Sequence, residues 1–211
     1  MQKMKTAFYL FVFPIGLIFL SCVSRYPSLG LLENYALLRE GACFRQEYVD
    51  PTAHFSKYKR IRVKPVNLEF FDKTAKFKLG FGEVERLGSL LEIELKNHLS
   101  KKYRVLGPNE KPDSQTLIVE PALLYARTPS CLLNILTIIP LTSASAAFEV
   151  KLSNSSTEKM VAQVAEERKG PSDFSSVFPG PYTRHAELKA IFKKWSKNLA
   201  VFLENCTQTN E

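Results

Sequence analysis

Residues 145–169 read SAAFEVKLSNSSTEKMVAQVAEERK, and this stretch decides the fold class. Ala146, Phe148, Val150 and Leu152 alternate with Ala147, Glu149 and Lys151. Alternation with a period of two marks a strand with one apolar face. Residues 153–158, SNSSTE, then supply side chains that bond their own backbone in turns. Residues 159–169 return as a second strand. The pair is an antiparallel hairpin whose apolar face needs a covering layer.

Two segments have the pattern to provide that layer. Over residues 83–102, Val84, Leu87, Leu91, Leu95 and Leu99 recur at helical spacing, with Leu90 and His98 beside them. Glu83 and Glu85 lead this segment and Lys101 and Lys102 close it, as a helix dipole favours. Over residues 184–205, Leu188, Ile191, Phe192, Trp195, Leu199, Phe202 and Leu203 form a second stripe. Lys189, Lys193, Lys194 and Lys197 lie outside it, and Trp195 at its centre is expected to be buried.

Three further strands are expected. In residues 59–66, KRIRVKPV, Ile61 and Val63 alternate with Arg60, Arg62 and Lys64. The basic positions form either a phosphate-binding stripe or a solvated strand face. Residues 103–106 make a short strand. Residues 115–125, QTLIVEPALLY, make a longer one, with a bulge expected at Pro121. The order is β-α-β-β-β-β-α. It predicts an α+β fold, a mostly antiparallel sheet with two amphipathic helices packed on one face. The first strand and residues 115–125 should be parallel neighbours, because a helix crosses between them.

The N-terminus carries a different signal. Lys3 and Lys5 precede an uncharged run from Thr6 to Leu20, which ends in Ser21 and Cys22. At about 15 residues the run is short for a membrane span of roughly 20. It reads as a signal peptide over residues 1–21, the alternative being an anchor helix. Phe19-Leu20-Ser21-Cys22 resembles the bacterial lipobox, with Phe19 where Leu is usual. The resemblance implies acylation of Cys22, and Val23 after it implies sorting to the outer membrane. Several acyl chains on Cys22 would hold the chain to a bilayer without a spanning helix. Residues 22–57 are then a lipidated N-terminal extended segment. It is punctuated by Pro27, Gly30, Gly41 and Pro51, with one helical turn expected near residues 33–39. Residues 58–206 are the α+β domain.

The chain resembles a bacterial lipoprotein family, domain of unknown function 3313. The likeness rests on GLLENYALL (residues 30–38), YVDPTAHFSKYKRIRVKPV (48–66), residues 138–168 and FKKWSKNLAVFL (192–203). It departs at Asn154 and Glu158 in the hairpin turn and after Pro140. Membership implies a lipid-anchored domain facing the periplasm, with no settled role.

Catalytic chemistry is not visible. There is no Gly-x-Ser-x-Gly elbow, P-loop or His-Glu-x-x-His. The Gly-x-Gly at residues 80–82 reads as the start of a helix. His54, His98 and His185 have no metal-ligand spacing, and Glu92 and Glu94 cannot share a helix face. No enzyme, metal or cofactor is expected. The formal net charge of +8 favours anionic partners, but an exported chain excludes nucleic acid. Two segments could bind something. Residues 131–141, CLLNILTIIPL, are either an exposed apolar contact or a core-crossing segment. Residues 171–185 carry Phe174, Phe178 and Tyr182, which either recognise a partner or pin the loop. The leading expectation is a non-enzymatic envelope lipoprotein. Its partners would be the membrane, through acylated Cys22, and an envelope protein or lipid. The alternative is a periplasmic carrier of a lipid or other apolar ligand, with its cavity between helices and sheet.

With Cys22 acylated, Cys43, Cys131 and Cys206 remain. If the first strand runs upward, both helices descend and Cys206 ends at the bottom, where Cys43 precedes the first strand. Cys131 lies at the top. The expected disulfide is therefore Cys43–Cys206, with Cys131 free.

Overall fold

The computed structural model describes residues 30–32, 34–72, 79, 82–128, 144–169 and 186–208. The strands are β1 (Gln46–Val49), β2 (Arg60–Val63), β3 (Arg104–Val105), β4 (Thr116–Arg127), β5 (Ser145–Asn154) and β6 (Met160–Lys169). The helices are α1 (Glu83–Leu99) and α2 (Ala186–Gln208). They build one six-stranded sheet in the order β1-β6-β5-β4-β2-β3.

The hairpin behaves as its alternation requires. β5 and β6 pair antiparallel, with Val150 opposite Val164 and Leu152 opposite Ala162. β4 joins β5 antiparallel, and β1 joins β6 antiparallel. β2 pairs with β4 in parallel, Arg60 opposite Thr116, and with β3 in parallel. The sheet is thus mixed, with its antiparallel part the larger, and the fold is α+β. The parallel β2–β4 pair follows from the α1 crossover between them.

Both helices lie on the sheet face that carries Phe148, Val150, Leu152 and Val164, in one continuous core. Leu91, Leu95, Leu99, Leu188, Phe192, Trp195 and Leu199 are all fully buried in it. Trp195 stacks on Phe148 of β5, with ring centroids 4.1 Å apart and planes 13° apart. The two helices run in the same direction, since Lys102 just after α1 pairs with Glu204 near the end of α2.

Two details differ from the sequence reading. The irregularity in β4 falls between Leu123 and Tyr125, while Pro121 stays in register opposite Val150. Pro121 is tolerated because its carbonyl side faces residues 64–67, beyond the end of β2, where Asn67 N–H donates to its oxygen at 2.8 Å. A ladder donor is not required of Pro121 there. The second difference is β1, a sheet strand inside residues 22–57, where the sequence predicts only an extended segment with one helical turn. Its residues, QEYV, have no apolar alternation and are all half-buried.

Candidate functional site

Residues 30–32 and 34–49 form a strap across the sheet. Its first part lies on the face opposite the helices. Glu149 alternates with Phe148 and Val150, so its side chain projects to that face, yet it is only 1% exposed. Its carboxylate accepts from Leu31 N–H at 2.8 Å and from the Tyr35 hydroxyl at 2.8 Å. Burial pushes the Glu149 carboxyl up, while those two donors pull it back. Burial and the neighbouring Glu149 charge raise the Tyr35 phenol in turn.

The strap needs glycine at this clasp. A Cβ on Gly30 would sit 2.1 Å from Glu149 Oε2 and 2.6 Å from the Tyr35 oxygen. Asn34 caps the 3-10 turn at Tyr35–Leu37, its side chain accepting from Ala36 N–H. The Gln163 amide donates to Asn34 O at 2.7 Å, and Leu32 and Leu38 pack on Ala165 in a small apolar cluster. One carboxylate, one amide and three buried apolar side chains thus fasten residues 31–38 to β5 and β6.

The strap then turns at the sheet edge. Glu47 of β1 folds back and accepts from Cys43 N–H at 2.7 Å and Phe44 N–H at 2.5 Å. A Cβ on Gly41 would meet the Glu47 carboxylate at 2.1 Å. This turn drives Phe44 into the helix-side core, against Phe148 and Phe202 at 5.8 and 6.1 Å between centroids. Beyond β1, Asp50 is held by Lys159 at 2.7 Å and by Thr52. The Lys159 hydrogen bond, then those from Thr52, hold its carboxyl down at about 2.

Cys43 and Cys206 line one cleft of about 430 Å3, with Glu47, Val49, Phe202 and Asn205. Both are thiols in this structure. Burial and then Glu47 push the Cys43 thiol up; burial, Glu47 and Cys43 push the Cys206 thiol up to about 12.

The remaining expectations divide in two. Cys22, Cys131 and His185, with residues 131–141 and 171–185, lie outside the described residues. Of the others, Arg60 pairs with Asp113 at 2.8 Å, Lys64 with Glu120 at 2.7 Å, and Arg62 donates to the carbonyls of Pro108 and Glu110. The basic strand face is therefore occupied by its own chain. His98 meets the Glu94 carbonyl at 3.0 Å one turn below it. No three His, Cys, Asp or Glu side chains among the described residues are grouped to hold a metal ion. Gly82 starts α1 with φ of 73°. No helix among the described residues is long and apolar enough to cross a membrane. The clasp on Glu149 was missed by sequence reading. The signal for it was Gly30, which stands against a carboxylate 119 positions later in the chain.

The strap, the hairpin and the last helix as far as Leu199 fall within one family pattern, the protein of unknown function family DUF3313, matched over residues 28–199. The chain belongs to the DUF3313 family. No curated protein sequence matches this DUF3313 chain. Among solved structures it is similar to the PelC dodecamer from Paraburkholderia phytofirmans, at 9% identity and a TM-score of 0.42, covering 72% of this chain and 96% of that one. It is also similar to a minor lipoprotein from Acinetobacter baumannii, at 9% identity, TM-score 0.35, and coverage of 70% and 94%. A lipoprotein from Caulobacter crescentus stands at 10% identity, TM-score 0.35, and coverage of 74% and 92%.

Proposed function

We propose that this DUF3313 protein is a lipid-anchored envelope protein with a non-enzymatic binding role. It is exported by residues 1–21, acylated at Cys22 and held facing the periplasm, at the outer membrane. Residues 22–57 serve as the tether and strap, and residues 58–206 as the presented domain. The observation that carries this reading is the clasp of the strap on Glu149. Gly30 lies eight residues after Cys22, a span of at most about 28 Å when fully extended. An acyl anchor on Cys22 would therefore keep the sheet close to the bilayer. Firm anchoring of this kind takes more than one acyl chain.

The core between helices and sheet supports an interaction role over a carrier role. Leu91, Leu95, Phe148 and Trp195 fill it at zero exposure, in the space an apolar ligand would need. Metabolic labelling with an acyl probe tests the anchor. Labelled wild-type chain in the outer-membrane fraction and unlabelled Cys22→Ala chain are expected. Label retained on the Cys22→Ala chain would sink the assignment.

A further inference from the structure

We infer that Cys43 and Cys206 are partners in an intrachain disulfide that staples the strap to α2. The strap meets α2 at Cys43 itself. Asn198 of α2 donates its amide to Cys43 O at 2.7 Å. Seven residues on, the Asn205 amide reaches the Cys43 sulfur at 3.6 Å. Two positions on one face of α2 thus contact Cys43, and Cys206 is next in the chain to Asn205. Phe44, locked among Phe148 and Phe202, fixes the backbone beside Cys43. Both cysteines line a common cleft.

The unequal burial of the two residues sets the order of events. Cys43 is half-buried and Cys206 is buried. A small disulfide oxidant entering the cleft meets Cys43 first. The Cys43 thiolate attacks one oxidant sulfur, forming a mixed disulfide and expelling one thiol. The Cys206 thiolate then attacks the Cys43 sulfur and expels the second thiol. Two protein thiols and one oxidant disulfide become one protein disulfide and two small thiols. The protein loses two electrons to the oxidant, and its two protons leave on the small thiols. Burial pushes both thiols up, away from the reactive thiolate, so the exchange is slow without a catalyst. In the cell the bond needs an oxidising compartment, and to that extent it rests on the envelope location proposed above.

The test uses the full chain, extracted from membranes in detergent, reduced, and equilibrated with glutathione disulfide. After alkylation and trypsin, residues 40–45 and 198–211 should be recovered as one cross-linked species. The oxidised chain should melt about 5–10 °C above the reduced one. Cys43→Ser and Cys206→Ser should each abolish that difference without loss of fold. Full alkylation of both thiols after equilibration, or a cross-link from either to Cys131, would overturn the pairing. Thiol trapping in intact cells separates the two readings. A bridge that forms in the purified chain but is absent in cells supports the pair and counts against the envelope location.

Discussion

Over β5 and β6 the sheet is buried on both faces, by different means. Toward the helices it presents Phe148, Val150, Leu152 and Val164, all fully buried against apolar side chains of α1 and α2. On the other face the same strands bury Glu149 and Gln163, each at 1% exposure or less, under the strap. The helix face is held by area, spread over many contacts at roughly 25 cal/mol per Å2. The strap face is held by fewer contacts: directional bonds to one carboxylate and from one amide, and the small apolar cluster of Leu32, Leu38 and Ala165. Area is robust to any single loss. A buried carboxylate is costly unless each partner is in place. The clasp on Glu149 is thus the part of the domain most sensitive to the loss of a single partner.

Trp195→Ala strikes the helix face at its stacked centre and should have the largest effect, about 3–5 kcal/mol of stability. Urea unfolding followed by circular dichroism would measure it. A change below 1 kcal/mol would show that area does not hold that face. Trp195 is the only tryptophan, so the native emission should be blue-shifted and shielded from acrylamide.

Glu149→Ala attacks the strap face. It leaves Leu31 N–H and the Tyr35 hydroxyl without their acceptor, at a cost of about 1–3 kcal/mol. Trypsin cleavage at Arg39 should accelerate while cleavage in α1 does not; equal acceleration at both would mean the two faces unfold together. The same carboxyl gives the face a pH signature. Its folded value is raised, so the folded protein binds more protons than the unfolded chain just above the ordinary carboxyl range. Stability from this group is therefore greatest below that range and falls as pH rises through the raised value. Glu149→Gln should remove that decline. A wild-type minus Glu149→Gln difference in melting temperature that stays flat from pH 4 to 8 would contradict the burial of the charge.

The smallest effect is expected on the exposed edge. Lys64→Ala breaks a half-exposed pair with Glu120, which keeps Lys151 at 3.7 Å. The loss should be at most about 0.5 kcal/mol by thermal melting. A larger value would assign Lys64 a role beyond that pair.

The contrast between faces also explains what the sequence could reveal. The helix face was legible because its residues announce their partners: Leu91, Leu95 and Leu99, or Phe148, Val150 and Leu152, repeat at the period of their own element. The parallel β2–β4 pair followed from the helix between them. Glu149 looked like a solvated position because it is charged and alternates with apolar neighbours. Its cover comes from Gly30 to Tyr35, more than a hundred residues earlier, and no local pattern encodes that. β1 was hidden for a related reason. Glu47 spends its side chain on Cys43 and Phe44 backbone, so a strand residue is polar for the sake of a turn.

The pairing of β1 with β6 has a consequence for the order of folding. A chain made from its N-terminus releases β1 first, yet Gln46 finds its partner at Ala165, and the strap finds Glu149 and Gln163 only with it. β4, β5 and β6 are successive neighbours in sequence and can pair as soon as they emerge. Contacts so distant in sequence form slowly, because a long loop must close before they repay its entropy. The earliest residues of the domain are thus among the last to be secured. Through that interval Leu32, Leu38 and Phe44 stay open to chaperones or to other chains. The domain is thus sealed from its N-terminal side only when nearly all of the chain is available.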